Sequence, residues 1–118
     1  MNNLKLKFEK YQNIINNYYN EFYKDEDEKK LVNIITNRHI STIKASCMYY
    51  YKTYDIKSDE KLEYLIDKYT AQLINQYDIT LANPNNKNKY RFEELIGYHY
   101  EDINDYIRHK RYMNKWEI

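Results

Sequence analysis

Apolar side chains recur along this chain at alternating steps of three and four, the spacing that gathers them on one face of an α-helix. Leu4, Phe8, Tyr11, Ile15, Tyr18 and Phe22 form the most regular series and predict a helix over about residues 3–24. The opening "LKLKF" also alternates with a period of two, so a short strand competes for that stretch. "DEDEKK" (25–30) places acids at the head of the next apolar series, where they suit the positive end of a helix dipole. Leu31, Ile35, Ile40, Ile43, Cys47, Tyr50 and Tyr54 carry that series onward, with a break expected near "NRHIS", where Ser41 would cap a second piece. "CMYYYKTY" is rich in strand formers and weakens the helical reading there.

Ser58 is the expected N-cap of a third helix, with Asp59 and Glu60 in its first turn and Leu62, Leu65, Ile66, Tyr69 and Leu73 as its inner stripe, fading between Tyr77 and Leu81. "ANPNNKNK" (82–89) is the obvious loop. Phe92, Leu95, Ile96, Ile103, Tyr106, Ile107 and Met113 then predict a last helix over about residues 91–115, in which Gly97 costs about 1 kcal/mol relative to alanine and marks a place to kink. The pattern therefore predicts an all-α fold, a small bundle of about four amphipathic helices in a single domain spanning 1–118. The competing architecture is α+β, with "DITLA" and "KYRFEE" paired as a hairpin around residues 78–94.

Composition sharpens this picture. One glycine and one proline, Gly97 and Pro84, imply few turns and long elements. Nineteen Lys and Arg against eighteen Asp and Glu leave a net charge of +1, so a charge-driven function has to be local. The single cysteine rules out an internal disulfide and fits a reducing compartment. Charges interrupt every apolar run, including those at the N-terminus, so neither a signal peptide nor a membrane span is expected and the chain reads as cytoplasmic. Asn, Lys, Ile and Tyr make up about half of the residues, and their AT-rich codons point to a low-GC bacterium or its phages.

Catalytic and metal motifs are missing from the sequence. A helical di-metal centre needs Glu-x-x-His, but the residues three before His39, His99 and His109 are Thr36, Ile96 and Tyr106. No second cysteine or i, i+4 histidine pair supplies zinc ligands, and one glycine cannot make a phosphate loop. Cys47 lies on an apolar stripe and reads as a small buried hydrophobe, and His99 as a core histidine with its own hydrogen bonds. His109 is placed to pair with Asp105 one turn earlier. In helix content the chain resembles the bundle-shaped HEPN ribonucleases, whose signature is an arginine followed after four to six residues by histidine. Arg91 and His99 have seven residues between them, while Arg38-His39 and Arg108-His109 are adjacent, so the motif itself is not matched. No cofactor and no catalytic residue is assigned; a metal-free nuclease using His99 or His109 is the third-ranked reading.

"NDYIRHKRYMNKW" (104–116) gathers cations near the C-terminus. Arg108, Arg111 and Lys115 fall within about 60° of one another on a helix and form a basic stripe, the candidate nucleic-acid contact with Tyr112 and Trp116 beside it. Acids precede Tyr106 and bases follow it, however, which is also the order that complements a helix dipole without any ligand.

Sixteen tyrosines are the more informative surplus. Tyr49, Tyr50 and Tyr51 span about 200° of a helix, and so do Tyr98 and Tyr100, so some must face solvent or a partner. A buried tyrosine needs a partner for its hydroxyl, whereas at an interface it offers large area with few rotors to freeze. Two sets are candidates for partner contact: Tyr49, Tyr50 and Tyr51 with Tyr18 and Tyr19, and Tyr98, Tyr100, Tyr112 and Trp116. Either could instead make a homodimer seam. The expectation is a non-enzymatic protein-binding module that occludes a larger protein or ribonucleoprotein: an inhibitor, immunity protein, antitoxin or phage anti-defence factor such as an anti-CRISPR. A nucleic-acid-binding accessory protein is the alternative.

Overall fold

Four helices account for nearly all of the backbone that the computed structural model describes, residues 2–116, with side chains described over 3–113. They are α1 (Asn2–Phe22), α2 (Glu26–Thr53), α3 (Glu60–Ala82) and α4 (Asn86–Trp116). No strand occurs among the described residues; "LKLKF" lies within α1, and "DITLA" and "KYRFEE" close α3 and open α4 instead of pairing. The all-α reading holds and the hairpin does not.

The starts of α2, α3 and α4 are each fixed by a side-chain oxygen that takes backbone N–H groups otherwise left unpaired. Asp25 accepts from Asp27 and Glu28 at 2.9 and 3.0 Å and begins α2. Asp59, not Ser58, caps α3, accepting from the Leu62 N–H at 3.1 Å, while the Ser58 hydroxyl donates to Glu63. Asn85 accepts from the Asn88 N–H at 2.8 Å, so α4 starts at Asn86, earlier than the apolar series suggests. Buried Gln76 and Thr80 both donate to the Asn88 carbonyl, which ties the Asn-rich turn to the end of α3. Within α2 the expected break at "NRHIS" is absent, as Thr42 donates to the Arg38 carbonyl and the helix runs through. Gly97 likewise leaves α4 continuous.

The ion pair Lys7–Asp67 and the Phe22–Tyr77 ring contact show α1 and α3 running parallel. His39 against Tyr100 and Tyr49 against Arg111 show the same for α2 and α4. α1 lies beside α2 and α3, and α4 lies beside the same two, so the 54–59 connection crosses the bundle diagonal. Buried residues of all four helices form one cluster, in an elongated body of 52 × 25 × 22 Å.

Two features of the predicted core are corrected. Leu31 and Ile35 are exposed, because α2 enters the core through Thr36, Ile40, Ile43 and Cys47. Thr36 bonds Tyr19 there at 3.0 Å, a polar contact invisible to an apolar pattern. Met113 is also exposed, and Ile107 is the last buried residue of α4 among those described.

The core is unusually phenolic. Tyr11, Tyr18, Tyr19, Tyr50, Tyr51 and Tyr69 are buried, and each hydroxyl has a partner inside the molecule. Tyr18 stacks on Phe92 at 3.8 Å and joins α1 to α4 across the diagonal. These pairings let phenols fill a core that would otherwise strand polar groups.

Candidate functional site

The sequence-predicted surface residues separate sharply. Tyr50 and Tyr51, like Tyr18 and Tyr19, are core residues, which corrects their assignment to a partner-binding surface. The cause is the helical rotation of about 100° per residue, which turns Tyr50 and Tyr51 inward while Tyr49 stays outside. Tyr49, Tyr98 and Tyr112 are 54%, 51% and 59% exposed. Tyr100 is half-buried against His39, with ring centroids 5.1 Å apart. The side chains of Lys115 and Trp116 lie outside the described residues.

Arg108, Arg111 and Tyr112 come together in a groove of about 520 Å³ between α2 and α4, lined also by Ser46, Tyr54, Asn104 and Ile107. The Arg111 guanidinium lies over the Tyr49 ring, 5.1 Å from its centroid. Arg108 pairs with Asp105 at 3.5 Å, both side chains being largely exposed, so Asp105 serves Arg108 rather than His109. The lining contains no carboxylate. Neither helix carries an acid along the adjoining segments, 41–53 of α2 and 106–116 of α4. Parallel packing of α2 and α4 brings these two acid-free ends side by side, a juxtaposition that spacing within either helix does not reveal. Ser46, Tyr54 and Asn104 were for that reason not among the predicted site residues.

At the same end of the bundle, Asp59 gathers the loop that crosses the diagonal. Its carboxylate accepts from the hydroxyls of Tyr50 at 2.9 Å and Tyr106 at 2.8 Å, besides the Leu62 N–H. Burial alone would raise its pKa, but the Leu62 N–H, the Tyr106 and Tyr50 hydroxyls and the nearby Lys110 outweigh it and hold the group below the usual carboxylate range. Tyr51 accepts from the Asp59 N–H at 2.9 Å and donates to Glu63 at 2.8 Å, closing a network between α2, α3 and α4. Lys61 and Lys110 lie 5.9 and 5.7 Å from the centroid of the Tyr106 ring.

Cys47 and His99 are held inside, whereas His39 and His109 are exposed. Cys47 is fully buried, and burial, reinforced by Asp59, pushes its thiol up to about 12, so almost no thiolate exists near neutral pH. His99 is 2% exposed. Its Nδ1 lies 2.9 Å from the Tyr11 hydroxyl and its Nε2 2.8 Å from Gln72 Oε1, with Tyr69 stacked on the ring at 4.2 Å. Nε2–H donating to Gln72 and Nδ1 accepting from Tyr11 satisfies both nitrogens of a neutral imidazole, and burial pushes its pKa down to about 4. Among the described residues no group of three or more His, Cys, Asp and Glu side chains is placed to hold a metal ion, and no helix is long and apolar enough to cross a membrane. No family model, curated protein or solved structure matches the chain.

Proposed function

We propose that this chain is a small non-enzymatic binding module that covers part of a larger protein, or of a ribonucleoprotein, with the face formed by α2 and α4. The observation that carries the reading is the division among the tyrosines. The buried ones are anchored internally through their hydroxyls, whereas Tyr49 and Tyr112 present their rings to solvent beside Arg111 and Arg108; Tyr98 and Tyr90 on α4 and Tyr64 on α3 are exposed as well. Tyrosine and arginine are the side chains enriched where protein surfaces meet, because they offer large contact area and fixed hydrogen-bonding geometry. A cytoplasmic inhibitor, immunity protein, antitoxin or phage anti-defence factor, an anti-CRISPR among them, acts in this way by occlusion. Burial of Cys47 and His99 keeps the thiol and one of the three imidazoles away from any substrate, which fits such a role.

A second reading has its own support: Arg108, Arg111 and Tyr112 share a groove, which is the combination of cations and a stacking ring that single-stranded nucleic acid uses. Photo-crosslinking separates the two. A benzophenone amino acid placed at Tyr49, Tyr98 or Tyr112 in the native host should give protein adducts, and one at Tyr64, exposed on α3, should not. Adducts to nucleic acid, to a second copy of the chain, or only from Tyr64 would overturn the protein-occlusion reading.

A further inference from the structure

We propose that the groove between α2 and α4 recognises carboxylates, and that the partner segment seated there is an acidic stretch of protein. This rests on the reading that the α2/α4 face is the docking face, and it names the chemistry of what docks. Arg108 and Arg111 are the two cations among the lining residues, and the lining itself contains no acid. A guanidinium laid over an aromatic ring uses its face for that contact and keeps its N–H edge for a planar acceptor. Arg111 over Tyr49, at 5.1 Å, has this arrangement. Arg108 already engages a carboxylate: Asp105 lies 3.5 Å away, and with side chains 80% and 72% exposed the pair is open to exchange. A partner carboxylate would take the place of Asp105 on Arg108, while a second one would meet Arg111. Ser46 and Asn104 supply neutral hydrogen-bonding groups between them, and Tyr54 and Ile107 an apolar floor.

Charge at the rim favours discrete carboxylates over a polyphosphate chain. Glu101 stands one helical turn before Asn104, Asp105 pairs with Arg108, and Asp55 follows Tyr54 in the chain, and all three acids are exposed. A strand of nucleic acid needs several successive cations and would be repelled by these acids, whereas a peptide can place two carboxylates in the groove and neutral or basic groups against the rim. The net charge of +1 supplies no wider field to offset that repulsion.

The test titrates the isotopically labelled protein, followed by amide NMR, with three probes: a short glutamate-rich peptide, its glutamine counterpart and a deoxythymidine oligonucleotide of equal length. The glutamate peptide should shift the amides of Ser46, Asn104, Arg108 and Arg111, and the glutamine peptide should bind about tenfold more weakly or not at all. Arg108→Ala and Arg111→Ala should each weaken the glutamate peptide by about tenfold, with the rest of the amide spectrum unchanged. Asp105→Asn removes the internal competitor and should strengthen it several-fold, an effect that a structural role for Asp105 would not produce. Equal binding of the glutamine peptide, tighter binding of the oligonucleotide, or no shift at the groove residues would each overturn the proposal. If the groove ignores the glutamate peptide while Tyr49 and Tyr112 still crosslink to a protein target, acid recognition falls and the docking face stands.

Discussion

Tyr106 reaches across 47 residues of sequence to place its hydroxyl 2.8 and 2.9 Å from the two carboxylate oxygens of Asp59. One side chain thereby caps α3, holds α4 and, through Tyr50, holds the end of α2. Asp59→Ala removes the cap, worth about 1 kcal/mol, and leaves two phenol donors short of a partner at about 1–3 kcal/mol in all. The expected loss is about 2–4 kcal/mol of unfolding free energy by urea titration. Asp59→Asn keeps an oxygen for the Leu62 N–H and should cost about half as much, whereas Ser58→Ala, at the position that was expected to be the cap, should cost about 1 kcal/mol or less. Equal losses for Ser58→Ala and Asp59→Ala would show that the carboxylate does not organise this end of the bundle.

Acid should destabilise the fold in two windows with different owners. His99 has its pKa pushed down to about 4 from 6.5. Between those values the unfolded chain takes up a proton that the folded chain refuses, so stability is complete above about 6.5, falls as the pH drops toward 4 and levels below it. The shift corresponds to a loss on the order of 3 kcal/mol across that window. Asp59, whose folded pKa lies below its ordinary 3.8, stabilises the fold above that value and loses its contribution only at lower pH. Urea midpoints of the wild type and His99→Gln, compared from neutral pH down to about 4, should show a steeper fall in the wild type. Parallel curves would mean that the imidazole is not held neutral in the core.

Two backbone positions leave room for stabilisation. Gly97 sits inside α4 with nothing within 4 Å of where a Cβ would stand, so Gly97→Ala should add about 1 kcal/mol by helix propensity alone. Asp55 ends α2 at φ 51, with the Ile56 N–H on the Tyr51 carbonyl at 2.8 Å, a helix stop usually made by glycine. Asp55→Gly should gain about 0.5–1 kcal/mol by relieving the left-handed backbone. Thermal melts of the single and double variants should rise additively, as the sites are far apart and share no contacts. A fall in either single variant would point to a packing role that the geometry does not show.

The helices were legible because long amphipathic series and sparse Gly and Pro leave few other folds open. Leu4, Phe8, Tyr11, Ile15 and Tyr18 are buried as their spacing predicts. What a one-dimensional pattern cannot hold is which helix lies beside which. The groove depends on α2 and α4 being parallel neighbours, and Ser46, Tyr54 and Asn104 carry no periodic signal. Polar core pairs were hidden for the same reason: Thr36 looks like a surface residue until Tyr19 arrives from another helix, and although Tyr11 and His99 each read as core residues, their pairing did not show. Leu31 and Ile35 erred in the opposite direction: their spacing continued a stripe that the bundle does not extend to cover.

Consecutive tyrosines 49–51 provide the sharpest separation of stability from binding. Tyr51 is fully enclosed, donates to Glu63 and accepts from the Asp59 N–H, so Tyr51→Ser should cost more than about 3 kcal/mol and leave little folded protein. Tyr50→Ser empties a buried site and removes one donor from Asp59, with a loss of similar size. Tyr49 is exposed and contacts Arg111 by a cation–π pair worth about 0.5–1 kcal/mol, so Tyr49→Ser should lower stability by no more than that. Capture of the protein target should nevertheless fall at least about tenfold in Tyr49→Ser if the exposed ring is a contact residue, the size expected of an interfacial tyrosine. Substituting all three at once would confuse unfolding with loss of contact, and circular dichroism of the single variants keeps the two apart. Target capture undiminished in a folded Tyr49→Ser protein, with Tyr112→Ser equally silent, would move the docking surface away from α2 and α4.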